Sequence, residues 1–176
     1  MNLAVILSGG IGKRLGNDIP KQFMKLAGKM VIEHTIEVFQ KHKEIDEIVI
    51  VSNPAFLREI EQICVKNKFD KIKRILSGGK ERYHSSLAAI NAYKEDGINI
   101  IFHDAVRPLV NNRIISECIS RLNDYNAIDV AIPSTDTIIN VNKKEVISGI
   151  PFRESLYNGQ TPQAFNLKEI YHLHKT

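Results

Sequence analysis

Long hydrophobic runs are absent from this 176-residue chain, and cysteine is scarce. No stretch approaches the ~20 apolar residues that span a bilayer, so a membrane-crossing helix is excluded. The opening apolar run is too short for a secretory signal and meets glycine at once. Cys64 and Cys118 form no Cys-x-x-Cys pair and fall on the apolar side of helical patterns. They read as two buried thiols in a reducing compartment, and the expectation is a cytoplasmic protein without membrane contact. Internal repeats, low-complexity tracts and Gly/Ser linkers are also missing. With 43% hydrophobic content, that predicts one core and one domain over residues 1–176. Twenty-four basic residues against twenty acidic ones leave a net charge of +4. The basic residues are scattered singly or in pairs, with no aromatic-studded stripe. Such a surface argues against nucleic-acid binding, and a small anionic substrate suffices to explain the excess.

What is present is a dense cluster of glycine and cation near the amino terminus. Ser8-Gly9-Gly10-Ile11-Gly12-Lys13-Arg14-Leu15 follows a strand-like run over residues 3–7 and precedes Pro20-Lys21-Gln22. Three glycines let a backbone turn sharply, approach a ligand and offer N–H groups to an anion. Lys13, Arg14 and Lys21 add cations there. The segment is not a P-loop, since Gly12-Lys13 is followed by Arg14 instead of Ser or Thr. Nor is it a dinucleotide fingerprint: Leu15 stands where the third glycine belongs, and Ser52 lies where an acidic ribose ligand is usual. A turn that merely links strand to helix is the competing reading. The cations that follow favour phosphate binding and transfer.

Strands and helices then alternate. Residues 47–52 read as a second strand, after which Asn53-Pro54 supplies an N-cap and a first-turn proline for a helix with Phe56, Ile60, Ile63 and Cys64 on one face. Residues 71–76 read as a third strand, followed by Gly78-Gly79 and a helix over 86–93. Residues 98–102 are nearly continuous Ile and Phe, as in a strand buried on both faces. Asn112 is the expected cap of the next helix, which carries Ile114, Ile115, Cys118, Ile119 and Leu122. Residues 127–132 close the series. The alternation predicts an α/β fold with a single doubly wound, mostly parallel sheet.

Ligands of such sheets bind beyond the carboxyl ends of the strands. Three ends matter: the glycine loop, Ser77-Gly78-Gly79-Lys80-Glu81-Arg82, and His103-Asp104-Ala105-Val106-Arg107-Pro108. Glycine-rich backbone, cations and one carboxylate would meet on one rim. Asp104 there is read as a ligand for Mg²⁺, a hard cation that favours oxygen, over a structural helix-start role. After Ser134 the pattern changes to two strands, 135–140 and 145–148, joined by Asn142-Lys143-Lys144. A hairpin that packs on nothing of its own is marginal and is expected to lean on a second subunit. Gly159-Gln160-Thr161-Pro162-Gln163-Ala164-Phe165 reads as a rigid polar segment before a last short helix.

Taken in order, 7–14, Pro20-Lys21-Gln22, Gly78-Gly79-x-x-Arg82, His103-Asp104-Ala105-Val106-Arg107-Pro108, Asp136-Thr137-Ile138 and Gln160-Thr161-Pro162-Gln163 closely resemble the cytidylyltransferases of the 2-C-methyl-D-erythritol 4-phosphate and ribitol 5-phosphate type. The resemblance spans essentially the whole chain. Ser8-Gly9-Gly10, Val106 and residues 150–153 ahead of Tyr157-x-Gly-Gln-Thr-Pro-Gln are nearer the ribitol 5-phosphate branch, with the methylerythritol phosphate enzyme as the alternative.

The resemblance implies a Rossmann-like nucleotidyltransferase with a protruding β-hairpin dimerisation arm at about 135–158. It implies a homodimer that uses CTP and a polyol phosphate and releases pyrophosphate. By the same resemblance Arg14 and Lys21 stabilise the transition state. Leu7, Ser8, Gly9, Gly10, Gly12 and Lys13, with Gly79, Lys80, Arg82 and Ser85, enclose the nucleotide. Asp104, placed with Arg107 among the nucleotide-binding residues, holds Mg²⁺, and Arg153, helped by Thr137, positions the polyol phosphate. Family members continue with a Thr-Asp-Asp/Glu motif, a second metal-binding Asp and a further Lys. This chain ends at His174-Lys175-Thr176 without them, which favours a truncated sequence.

Two other classes compete with this one. A non-catalytic CTP-binding or dimerisation module would keep the glycine loop without needing Arg14 and Lys21 together, and would bind CTP with no pyrophosphate release. A nicotinamide dehydrogenase is disfavoured by the failed fingerprint.

Overall fold

A computed structural model of the chain describes residues 1–10, 19–93 and 96–173. Three strands rich in Ile and Val form its centre: β1 (Asn2–Ser8), β4 (Glu47–Ser52) and β6 (Asn99–Asp104). β1 pairs in parallel with β4 on one side and with β6 on the other, and β4 pairs in parallel with β5 (Ile72–Ser77). The interior residues of the three central strands are almost wholly buried because both faces are covered. Ala4, Ile6, Ile48, Ile50 and Ile101 join one apolar cluster with Ile32, Ile36 and Phe39 of α1 (Val31–Lys41), Ile60 and Ile63 of α2 (Leu57–Asn67), and Ile115, Cys118 and Ile119 of α4 (Asn112–Arg121). Leu3, Val5, Val49, Val51, Ile100 and Phe102 turn the other way, onto Ala89 and Ile90 of α3 (Arg82–Ala92) and Leu167 of α5 (Leu167–Leu173). Period-two alternation in strands clad by helices on both faces gives the doubly wound sheet expected of the sequence.

The order β5-β4-β1-β6-β10-β7 departs from expectation at one end. β7 (Ala127–Pro133) does not close the series against β6. Between them lies β10 (Tyr157–Asn166), antiparallel to both, with a register shift between Gly159 and Gln163. The segment expected to be a rigid polar stretch is a reversed strand, and the sheet is mostly parallel as predicted. Its polar residues end beside the rim of the site. α1 and the small β2 (Lys25–Leu26) and β3 (Lys29–Met30) ribbon fill a stretch for which the sequence reading named no element.

Smaller corrections concern helix starts and the arm. Asn53 accepts from the Ala55 N–H as anticipated, but it caps a 3-10 turn, Pro54–Phe56, ahead of α2. α4 is capped by Asn111, whose side chain accepts from the Ile114 N–H, and not by Asn112. α3 starts at Arg82, earlier than expected. The hairpin between β7 and β10 is present, although its ladder is only β8 (Asn140–Val141) against β9 (Ile147–Gly149). Cys118 is buried, whereas Cys64 is only partly so, and both are free thiols. No described helix is long and apolar enough to cross a membrane.

Candidate active site

Chain order changes direction between β1 and β6, with β4 and β5 extending the sheet on one side and β6 on the other. Crevices at such switch points accept ligands at the carboxyl ends of strands. Here Leu7 is the register partner of Asp104, so the glycine segment leaves the sheet directly beside that carboxylate. A cleft of about 310 Å³ opens over the pair. It is lined by nine of the residues expected there: Leu7, Ser8, Gly9, Gly10, Gly79, Lys80, Arg82, Ser85 and Asp104. Gln22, Glu81, Ala105 and Val106 complete the lining. Gly12, Lys13 and Arg14 lie outside the described residues.

The start of α3 forms the opposite wall, and its glycines are a packing requirement. A Cβ on Gly79 would stand 2.4 Å from His84 Cβ, and one on Gly78 would stand 2.7 Å from Ser85 Oγ and 3.3 Å from the Ser52 carbonyl. The Gly78 N–H donates to that same carbonyl at 2.7 Å, tying the loop to the end of β4. With no side chain at 78 or 79, the loop packs tightly and the helix begins at the cleft. A helix N-terminus presents free N–H groups and partial positive charge, which favour an anion.

Asp104 is the hub of the rim. One carboxylate oxygen accepts from Arg82 Nη1, and the other accepts from Arg107 Nε at 3.0 Å. Both arginines are held from β10. Arg107 Nη1 donates to Gln160 Oε1, and Arg82 Nη2 donates to Gln163 Oε1 at 3.2 Å. The Asp104 N–H donates to Thr161 Oγ1 at 3.4 Å. The Gln-Thr-Pro-Gln segment therefore braces both guanidinium groups and the backbone at Asp104. The sequence names this motif without its role, which depends on the arginines it meets across the sheet.

Among the described residues no group of three or more His, Cys, Asp or Glu side chains could hold a metal. Among the described residues the cleft lining holds two carboxylates, Asp104 and Glu81, and Asp104 keeps lone pairs beyond those given to its arginines. That suits a hard dication carried chiefly by ligand phosphates and waters, and does not suit a cation held by protein alone.

Lys21 opens a 3-10 turn, Lys21–Phe23, close to the cleft but not lining it. The next residue, Gln22, is only 2% exposed and was not singled out from sequence. Its side-chain amide donates to the carbonyls of Ser8 at 3.2 Å and Gly10 at 2.8 Å. Thr137 and Arg153 sit apart from this cleft. Arg153 Nη2 donates to Thr137 Oγ1 at 2.8 Å, and the two line a separate cavity in the arm with Ile138, Ile150, Phe152 and Glu154. The arm cavity shares no lining residue with the first cleft. Phe152 is 84% and Ile150 65% exposed within this single chain.

Burial sets the state of three titratable groups that do not line the cleft. Burial pushes the His103 imidazole down to about 4, with its Nε2 on the Arg107 carbonyl at 3.0 Å and its ring 5.2 Å from Phe39. Burial pushes the Cys64 and Cys118 thiols up to about 11. A neutral histidine inside the core and two protonated thiols are structural groups.

The site's likeness to known proteins extends over the chain. The model of the family described as "IspD: 2-C-methyl-D-erythritol 4-phosphate cytidylyltransferase" matches residues 2–176. A bifunctional ribulose 5-phosphate reductase/CDP-ribitol pyrophosphorylase, Bcs1, of Haemophilus influenzae is 55% identical over 170 residues, 94% of this chain and 36% of that protein. The 2-C-methyl-D-erythritol 4-phosphate cytidylyltransferase of Thermobifida fusca is 41% identical over 173 residues, 95% of this chain and 70% of that one. This chain thus spans about a third of the Haemophilus relative's length. The crystal structure of 4-diphosphocytidyl-2C-methyl-D-erythritol synthase from Anaerococcus prevotii superposes with a TM-score of 0.86 at 28% identity, covering 99% of this chain and 75% of that one. With a family match over nearly every residue and a fold shared at that level, the chain belongs to the IspD family of cytidylyltransferases.

Proposed function

We propose that the chain transfers a cytidylyl group from CTP to a polyol phosphate, with ribitol 5-phosphate as acceptor. The observation that carries the nucleotide half is the Leu7–Asp104 register pair, which sets glycine-rich backbone, the α3 N-terminus and a carboxylate-centred pair of arginines around one cleft. The acceptor half is supported by 55% identity to a protein named as a CDP-ribitol pyrophosphorylase, against 41% and 36% to two methylerythritol phosphate cytidylyltransferases. The second of those, from Lachnospira eligens, keeps the methylerythritol acceptor as the second reading.

In this reading a phosphate oxygen of the acceptor attacks the α-phosphorus of CTP. The bond to the oxygen bridging α and β breaks, and pyrophosphate leaves with that electron pair. An acceptor phosphate is already mostly ionised at neutral pH, its second pKa being about 6, so no general base is required. Catalysis then reduces to alignment and to neutralising charge that builds on the α-phosphate. Arg14 and Lys21 are assigned to that charge, and the Gly9, Gly10 and Gly79 backbone to the nucleotide. A divalent cation, Mg²⁺ in this assignment, would supply neutralisation of the triphosphate, with Asp104 as a protein ligand. Arg82 and Arg107 keep the carboxylate aimed at the cleft.

Arg153 and Thr137 are assigned to the phosphate of the acceptor. Their cavity is distinct from the nucleotide cleft of the same chain, and the arm around it exposes Ile150 and Phe152. Both features fit a homodimer whose arms cross, each delivering Arg153 to the partner's cleft. Incubation of the longest natural chain with CTP, Mg²⁺ and ribitol 5-phosphate tests the proposal by mass spectrometry of the products. CDP-ribitol in equal amount to pyrophosphate is expected. CTP binding without product would reduce the chain to a binding module.

A further inference from the structure

Gln22 is an oddity of the cleft: a buried amide with no reacting group to serve. It follows Lys21 on the 3-10 turn Lys21–Phe23, and it is 2% exposed. Its Nε2 donates to two carbonyls that flank Gly9, those of Ser8 at 3.2 Å and Gly10 at 2.8 Å. One side chain thereby joins the 3-10 turn to the glycine backbone that follows β1. In a trans peptide the N–H points opposite the carbonyl, so holding the Ser8 carbonyl toward Gln22 turns the Gly9 N–H away from it. Glycine backbone has the widest conformational range of any residue and needs such an anchor to keep one shape. Phe23, the next residue, is buried and packs its ring 5.3 Å from Phe56, which fixes the turn from the core side.

We infer that Gln22 is a positioning residue for nucleotide binding: it locks the carbonyls on both sides of Gly9 and thereby sets the spacing between the loop's backbone donors and Lys21. The inference rests on the cytidylyl-transfer reading. A buried polar group is satisfied when its partners are in place; without the amide the Gly10 carbonyl loses this donor and the Ser8 carbonyl is left with the Ser52 hydroxyl at 3.5 Å. Gln22→Met keeps the length and bulk while deleting both donors. Gln22→Asn keeps a donor one methylene short.

CTP affinity with Mg²⁺ by calorimetry, and KM for each substrate and kcat by pyrophosphate release, are measured on the full-length protein alongside melting temperature. In Gln22→Met the CTP dissociation constant is expected to rise roughly tenfold or more, the effect of losing a hydrogen bond's worth of loop order. The KM for the polyol phosphate should stay put, and Gln22→Asn should fall between the two. A folded Gln22→Met or Gln22→Asn variant with parental CTP affinity and kcat overturns the inference. So does a loss of the folded state in both variants, which would leave Gln22 a role in stability alone. A parent protein that binds no CTP at all would instead sink the reading on which the inference rests.

Discussion

The guanidinium of Arg107 returns to Asp104, three residues earlier in the chain, with Nε donating to Oδ2 at 3.0 Å. Arg82 holds the other oxygen, so the carboxylate sits between two cations at the strand tip. A neutral amide in its place binds a hard dication less well. Asp104→Asn is therefore expected to raise the Mg²⁺ concentration for half-maximal rate, read as a metal titration at saturating CTP. An unchanged titration would leave Asp104 only its part in anchoring the two arginines.

Arg14 and Lys21 are assigned to the transition state more than to bound CTP. Replacing either with Ala should lower kcat by about 10²-fold or more, comparable to losing one preorganised charge-stabilising donor. The KM for CTP should change far less. A variant altered only in that KM contradicts the assignment.

How much of this was legible beforehand follows from which signals are local. β1, β4 and β6 were readable because strands buried on both faces are runs of Ile, Val and Phe, and the ends of β1 and β6 located Gly9 and Asp104 on one rim. β10 was not, since Gly159, Gln160, Thr161 and Gln163 lack any apolar alternation until the chain reaches Ala164 and Phe165. Its strand character comes from pairing with β6 and β7, a tertiary effect that outweighs propensity. Gln22 was legible as part of Pro20-Lys21-Gln22 but its role was not, for a related reason: a buried amide is recognised by the carbonyls it meets, and those of Ser8 and Gly10 lie well upstream in the chain. Asn111 and Asn112 offer the same side chain to the same helix, and only backbone geometry decides between them.

His103 gives the fold a pH dependence. Its native value of about 4 lies below the ordinary 6.5 because burial disfavours the imidazolium. Between those values the unfolded chain binds more protons, so this contribution is fully present above about pH 6.5 and is lost as pH falls through about 4. The loss approaches roughly 1.4 kcal/mol per pH unit within that window, with a ceiling of about 3 kcal/mol. Denaturant titrations at pH 7, 5.5 and 4.5 should show a steeper fall in the parent than in His103→Gln. Parallel curves would place the sensitivity elsewhere.

The crossed-arm dimer makes a prediction that no single-chain site can match. Arg14→Ala and Arg153→Ala chains, each inactive, are mixed and allowed to exchange subunits. In a mixed dimer one pocket combines both defects and the other is intact. Half the dimers are mixed and each has one good site, so activity should climb toward about a quarter of wild type. If both arginines serve the pocket of their own chain, mixing restores nothing.

The central claim is that this cleft joins CTP to ribitol 5-phosphate. Its most direct test is the rate of pyrophosphate release, as kcat/KM, for each of CTP, UTP, ATP and GTP paired with ribitol 5-phosphate and with 2-C-methyl-D-erythritol 4-phosphate. The account predicts that CTP with ribitol 5-phosphate is the fastest pair, with the other nucleotides well below it. Equal or faster release with UTP or ATP, or a preference for the methylerythritol acceptor, would contradict it.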